Sequence, residues 1–486
     1  MKKILYLLLL CSTHVSFAQK AAKPEQFAKT ITANDLKKHL YIIASKEMGG
    51  RETGMEGERK AAAYIENEFK RIGLQPGNDG SYQMYFNVYH DSLLESRFEV
   101  NGKPYVLNKD YVLSVAANSD ATFRFSEVVY IGSGTADSVK NMNLAGRLVI
   151  LNNNTLYPFL QNKGLAGVLL ISSNFPRTTE FNRKGSQTNN IFKRTIRPQE
   201  FTISEAIART ILGEDYETTK TQKALIKTYP AEILLGTRKT PLPLQTSNVI
   251  GILPGTDLKN EYLVITAHHD HIGKRGDSVI NYGADDDGSG TVSVIELAEA
   301  FARAKAAGRG PRRTIVFMTV SGEEKGLWGS EYYAAHPIFP LEKTTANLNI
   351  DMIGRIDPQR KNGDSLNYVY VVGDDKLSTD LRPISEAANK KYTKLELDYK
   401  FNDPNDPMRI YFRSDHYNFA KNGVPIIFYF NGTHADYHRP GDTPDKINYP
   451  LLAKRAQLVF YTAWEMANRN QMLKRDLKLD VPARPF

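Results

Sequence analysis

The stretch Glu261–Gly290, EYLVITAHHDHIGKRGDSVINYGADDDGSG, decides how the chain is read. Tyr262 to Ala267 is a short apolar run of the kind that makes a buried strand. It enters His268-His269-Asp270-His271 directly, and a loop then leads to Asp285, Asp286 and Asp287 between glycines. Beyond Gly290, Val294, Leu297, Ala298 and Phe301 recur at helical spacing. Imidazoles and carboxylates where a strand ends and a helix begins lie at the carboxyl edge of an open α/β sheet, where such sheets bind ligands. Mixed nitrogen and carboxylate donors suit zinc or a related divalent ion. Three adjacent aspartates repel one another, and a cation is the simplest relief. The other reading is a solvated acidic loop behind a core histidine, and this stretch alone leaves both open.

The whole chain has 486 residues, enough for two or three domains, with 41% hydrophobic and 24% charged residues and no repeat period. Its net charge of +9 is spread without a basic block, which argues against a dedicated nucleic-acid binder. Met1-Lys2-Lys3, a leucine-rich run and the small residues Ser16 and Ala18 read as a signal peptide over 1–18, leaving Gln19 first. A lipoprotein anchor at Cys11 is the rival, disfavoured by the bulky Leu10 before it. Cys11 is the single cysteine, so cleavage at Ala18 would leave no thiol nucleophile, no Cys-ligated metal and no disulfide. No later apolar run is long enough to span a membrane, so the expectation is an extracytoplasmic protein, periplasmic or secreted.

Residues 30 to 78 read as helical, with a cap at Thr32–Asp35 and Gly73 closing a second helix after the glycine-punctuated loop GGRETG. Scaffold is the expectation for nearly all of this part. From about Tyr82 short strands follow, among them 127–131, 147–151 and 167–171, with a short helix over 157–164 and loops over 175–205. They carry no clustered His or carboxylates and read as a smaller, β-rich inserted domain over 110–230. Apolar runs at 248–253, 263–267, 314–320, 346–352, 368–372 and 425–430, with helical patterns between several, predict an α/β fold. Its central sheet is expected to be mixed, mostly parallel, with helices on both faces. The assignment is 19–109 for an N-terminal helical part, 231–475 for the main domain and 476–486 for a charged tail.

Three more of these runs end in metal-binding groups. The run 314–320 leads to Glu323 and Glu324, the run 346–350 to Asp351, and the last to His434, Tyr437, His438 and Asp442. Each is weak alone. Together they converge, because parallel strands present their carboxyl ends on one edge.

In this order and spacing HHDHIG, GADDDGSG, SGEEKGLWGS, NIDMIGR and YHRPGDT resemble the co-catalytic zinc aminopeptidases, a family that includes bacterial leucyl aminopeptidases, aminopeptidase Y and the glutamate carboxypeptidases. The likeness covers about 245 to 470 and implies a zinc exopeptidase fold; the GGRETG loop with its following helix also looks like the family's amino-terminal part, and LAGRLVIL and KGLAGVLLI make the insert resemble a protease-associated domain. It implies two Zn2+ per chain, with Asp286 as the bridge. His268 and Asp351 would complete one shell, Glu324 and His438 the other. Glu323 would be the general base for a metal-activated water, Asp270 would orient His268, Tyr437 would stabilise the oxyanion, and Arg413 would touch a substrate or product carboxylate. His269 and His271 fall where the family places no ligands and are read as structural. The implied activity is removal of N-terminal residues from peptides. The alternatives are a carboxypeptidase or dipeptidase on the same fold, a glutaminyl cyclase, or a non-catalytic receptor-like ectodomain. Peptides are the expected partners, and no oligomeric state follows from the sequence.

Overall fold

Alternation decides which side of the sheet each strand residue covers. In the strand Leu258–His268, Leu263, Ile265 and Ala267 enter one buried apolar cluster and Val264 enters another. In Arg313–Val320, Ile315 and Phe317 go to the first, and Val316, Met318 and Val320 to the second. Strands buried on both faces need helices on both, which is why they read as continuous apolar runs. The computed structural model describes residues 23–192, 196–221, 226–276 and 278–481.

The chain divides into two compact units, Tyr85–Thr246 and the remainder. In the larger, the sheet runs Glu396–Asp398, Tyr368–Val372, Ile426–Phe430, Thr344–Ile350, Leu258–His268, Arg313–Val320, then residues 249–253. Neighbours are parallel except that 368–372 opposes 426–430 and 249–253 opposes 313–320. The fold is therefore α/β with a mixed, mostly parallel sheet, as read from the sequence. Helices Ala33–Ile43, Glu56–Ile72, Gly290–Ala306 and Tyr449–Asn468 bury their apolar faces in the first cluster. Phe301 packs on Phe460 and Trp464, with ring centroids at 4.5 and 6.0 Å. Tyr333 of Trp328–Ala335 and Phe419 of His416–Ala420 fill the second. The Thr32 hydroxyl accepts from the Asp35 N–H at 3.1 Å, and Gly73, at φ +85°, ends the helix before it.

The smaller unit begins and ends elsewhere than the 110–230 read from the sequence. The reason is pairing. Strand Gln83–Val100 pairs with Lys103–Tyr105 and Lys184–Thr188, and residues 227–237 pair with Ala121–Gly132, so neither can be separated from its partners. Strands Ala121–Gly132, Leu148–Leu151, Gly167–Ser172 and Gln199–Ser204 run parallel in this unit over a core that includes Phe98, Tyr111 and Phe201. The expectation of loops over 175–205 is corrected: Lys184–Thr188 and Gln199–Ser204 are strands. Only Phe201 and Ile203 give the latter an apolar face, too little for a pattern. In the larger unit, the two chain segments that flank the smaller one lie side by side: the Ile250 N–H donates to Tyr82 O at 2.7 Å, and Ser247 Oγ donates to Gln83 Oε1 at 3.0 Å.

The expected signal peptide 1–18, with Cys11, lies outside the described residues. Among the described residues no helix is long and apolar enough to cross a membrane. The charged tail, unreadable in sequence, packs Leu479 and Val481 on the second cluster, while Asp476 accepts from the Thr379 N–H and hydroxyl at 2.9 and 2.7 Å.

Candidate metal centre

Parallel register sets the positions of the strand-end groups. His268 lies opposite Val320 and Thr266 opposite Asn349, so the residues that follow each strand emerge at one level. These are Asp270, Glu323, Glu324 and Asp351. Asp286 comes from the loop that enters helix Gly290–Ala306, and His438 from the loop after Ile426–Phe430.

Two clusters result, sharing Asp286. Asp286 Oδ1 is 3.3 Å from His268 Nε2, and its Oδ2 is 3.1 Å from His438 Nε2. His268 Nε2 is also 3.7 Å from Asp351 Oδ1 and 3.9 Å from Glu323 Oε2. His438 Nε2 is 3.0 Å from Glu324 Oε2. Two donors on one tetrahedral zinc, with bonds of ~2.0–2.1 Å, stand ~3.3 Å apart. The buried His268 Nε2 and Asp286 Oδ2 have no hydrogen-bond partner despite these neighbours. Nitrogen and oxygen donors converging at these separations, with the central atoms left unsatisfied, fit two divalent ions.

The three consecutive aspartates do different work. Asp287 accepts from the N–H groups of Gly290, Met352 and His268 at 2.8, 3.1 and 3.2 Å. A Cβ at Gly290 would come within 2.4 Å of that carboxylate, so only glycine fits there. Asp285 accepts from the Gly354 N–H at 2.7 Å and lies 3.1 Å from His434 Nε2. Asp442 in turn accepts from the N–H groups of Asp285 and Asp286. Asp286 alone is left facing both histidines.

Burial and like charge dominate the electrostatics. Burial, with Asp351 and Glu324 nearby, pushes Glu323 well above the usual carboxylate range, although His268 opposes the shift. Burial alone would keep His268 neutral, but Glu323, Asp351, Asp270 and Asp286 raise its pKa well above the usual value. The same contest raises His438 to about 10, through Asp286 and Glu324. For Asp286 the two histidines overcome burial and hold it well below the usual range. Proton and metal compete for these atoms.

Asp270 meets the far nitrogen of His268 with its backbone carbonyl rather than its carboxylate. His268 Nδ1 is 3.1 Å from the Asp270 backbone O and 3.6 Å from its carboxylate, which accepts from Thr53 Oγ1 at 2.8 Å and the Glu323 N–H at 3.2 Å. Tyr437 stacks on His438 with ring centroids at 3.8 Å, and its hydroxyl accepts from Arg413 Nη2 at 3.0 Å. A cleft at the cluster, lined by Asp286, Glu323 and Asp351, also has Met352, Ile410, Phe428 and Phe430 in its wall, together with the more exposed Arg413 and Tyr437.

Several residues here are not singled out by the sequence. Arg51, fully buried, donates from three guanidinium nitrogens to the carbonyls of Ile43, His269, Tyr282 and Gly283 at 2.8–2.9 Å. With Thr53 it turns the GGRETG loop, read as scaffold, into the outer support of the centre. The resemblance takes in this loop but gives Arg51 and Thr53 no role of their own. Asn349 Nδ2 donates to Ser414 Oγ at 2.8 Å, and Ser414 in turn hydrogen-bonds Asp351. His269 pairs with the buried Glu58 at 3.0 Å, a structural role. His271, by contrast, lies 2.8 Å from Glu324.

Residues 248–463 match the sequence profile of peptidase family M28. The chain is 26% identical over 288 residues to a "Probable zinc metalloprotease" of Pyrenophora tritici-repentis, covering 50% of this chain and 56% of that one. It is 30% identical over 229 residues to a "Probable leucine aminopeptidase" of Arthroderma otae, covering 46% and 58%. The chain thus spans a little over half the length of these curated relatives. Among solved structures it resembles the aminopeptidase from Aneurinibacillus sp. strain AM-1, with a TM-score of 0.58, 20% identity, and coverage of 95% of this chain and 100% of that one. At that identity the likeness bears on fold alone.

Proposed function

We propose, from the match of residues 248–463 to peptidase family M28, that the chain is a zinc exopeptidase with two ions, acting as an aminopeptidase on peptides. One observation carries the reading: the two oxygens of Asp286 face two different histidines at 3.3 and 3.1 Å, as a carboxylate bridging two ions must. His268, Asp286 and Asp351 would hold one ion and Asp286, Glu324 and His438 the other. When bound, the ions supply Lewis acidity, polarising the scissile carbonyl and lowering the pKa of water.

The chain's own groups do the rest. Glu323 takes a proton from the attacking water and returns it to the leaving amine nitrogen as the C–N bond breaks. Its burial among carboxylates, which raises its proton affinity, suits it to a base. Adjacent Glu324 cannot share that task, since both its oxygens are engaged by His271 and His438. Asp270 keeps His268 oriented and, through the Glu323 N–H, ties the base to the same strand end. Tyr437, held by Arg413, offers its hydroxyl to the developing oxyanion. The apolar wall of Met352, Ile410, Phe428 and Phe430 receives the side chain of the terminal residue.

Arg413 in the cleft wall favours a second reading, in which a free carboxylate is recognised and the enzyme is a carboxypeptidase or dipeptidase. A panel of peptides blocked at one end or the other, assayed before and after chelation, separates the two. The aminopeptidase reading requires cleavage of C-blocked and not N-blocked peptides. Glu323→Gln should abolish most turnover with two zinc ions retained, and loss of zinc would mean that the base is a ligand. Release of ammonia from an N-terminal glutamine peptide would favour a cyclase instead. Export is proposed on residues 1–18 alone, with Gln19 as the expected mature N-terminus. The protease-associated likeness of the smaller unit likewise remains a proposal.

A further inference from the structure

His271 is set in place from several directions. Its ring is fully buried, its N–H donates to Arg51 O at 2.9 Å, and a Cβ at Gly283 would come within 2.5 Å of its Cγ. Nδ1 lies 2.8 Å from Glu324 Oε1 in hydrogen-bonding geometry, whereas Nε2 has no partner. A buried ring with an unsatisfied nitrogen is a poor space-filler, and an apolar side chain would serve packing better. The chemistry at Nδ1 is what this residue offers.

His271 and His438 face the same carboxylate differently. His438 Nε2 is almost equidistant from Glu324 Oε2 and Asp286 Oδ2, at 3.0 and 3.1 Å, close to the ~3.3 Å between two donors on one tetrahedral ion. His271 Nδ1 is 2.8 Å from Glu324 Oε1 but 3.9 Å from the nearer Asp286 oxygen, too short on one side and too long on the other. His271, Asp286 and Glu324 present donor atoms that all lie within 4.8 Å and could share an ion, but the 2.8 Å approach of His271 Nδ1 to one Glu324 oxygen is that of a hydrogen-bond donor. We propose that His271 is a positioning residue: its Nδ1–H occupies Glu324 Oε1 and leaves Oε2 as the single oxygen offered, beside His438, to the metal. Glu324 would then offer an ion one oxygen, the other being held by His271. The assignment rests on the two-metal reading and deepens it, since the sequence pattern leaves His271 without a role at the centre.

The test reads metal binding rather than turnover. His271→Leu keeps the volume and removes the donor; His271→Asn restores an N–H near the Nδ1 position. Chelator competition should show one ion of His271→Leu held ~10–100-fold more weakly and the other unchanged, with His271→Asn within ~3-fold of the parent. Melting of the metal-free proteins confirms that each variant is folded. In the parent loaded with cadmium-113 and labelled with nitrogen-15, only His268 and His438 should show cadmium–nitrogen coupling, with the His271 Nδ1 still carrying its proton. That arm decides without any variant, should His271→Leu fail to fold. Coupling to a third histidine, parent-like binding by His271→Leu, or His271→Asn as defective as His271→Leu would each overturn the assignment. A parent that binds no pair of ions would sink the two-metal reading as well. Two ions held regardless of residue 271 would sink this assignment alone.

Discussion

Replacing Arg51 with methionine is expected to cost ~3–5 kcal/mol of stability, the range found when one partner of a buried charged network is removed. The magnitude follows from what the guanidinium holds. It makes four hydrogen bonds of 2.8–2.9 Å to backbone carbonyls of Ile43, His269, Tyr282 and Gly283, and no solvent reaches it. A hydrogen bond from a charged donor is worth ~1.5–3 kcal/mol net, but four such terms would not add in full, because the desolvation cost of the buried cation vanishes with it. Asp270, Asp286, Asp287 and Asp442 also interact favourably with this charge, so its removal leaves their repulsion less compensated. Urea unfolding of the zinc-loaded protein measures the loss. Arg59→Met, at an exposed residue with one bond to Gly54 O, controls for the loop. Arg51→Lys should fall between, since an ammonium keeps the charge but not the fork. Arg51→Met within ~1 kcal/mol of the parent, the scale of a surface substitution, would refute the reasoning.

Asp286→Ala should remove both ions, read by metal analysis after dialysis; retention of two would rule out the bridge. In the metal-free protein, His438 is raised to about 10, so its contribution is fully present below the unfolded pKa of ~6.5 and lost as pH rises through about 10. Burial likewise raises Asp415 to about 7, helped by neighbouring carboxylates, and that term fades between ~4 and 7 as pH climbs. The metal-free protein should therefore melt at falling temperature from pH 6 to 10, and a rise across that window would contradict the site electrostatics. Zinc binding at pH 7 should release protons from His268 and His438, so calorimetric heats must vary with the ionisation enthalpy of the buffer. Phe301→Ala, which empties a site stacked between Phe460 and Trp464, should cost ~3–5 kcal/mol by denaturation with the metal content unchanged.

What could be read in advance followed local pattern. The strands of the larger unit are apolar runs because both their faces are covered, and the helices after Gly290 and over 449–468 show one apolar face. The proposed ligands were legible because His268, Glu324 and Asp351 lie at or just past the ends of such runs, Asp286 and His438 stand in the loops that follow two of them, and the five motifs keep a recognisable order. The smaller unit was less legible. Strand Gln199–Ser204 owes its place to pairing with Gly167–Ser172, and one strand's residues say little about its partner. Arg51 escaped notice for a related reason: three of its four carbonyl partners lie 218, 231 and 232 residues away, and the fourth, Ile43 O, is an ordinary helix-end carbonyl. His271 was read as structural, and Glu324 beside it lies 53 residues on.

The meeting of Gln83 with Ser247 has a consequence for how freely the protein can be rebuilt. The chain leaves the larger unit after Met84 and re-enters it at Ser247, close to the point of exit, so the residues between close a single loop in the larger unit's chain path. The entropy of closing such a loop grows only with the logarithm of its length, ~0.6 kcal/mol per doubling. A glycine-serine turn or an unrelated domain with adjacent termini could stand in its place, with strands Gln83–Val100 and Lys227–Leu253 cut back to Gln83–Met84 and Ser247–Leu253. The larger unit is thus nearly indifferent, thermodynamically, to the length of chain that closes this gap.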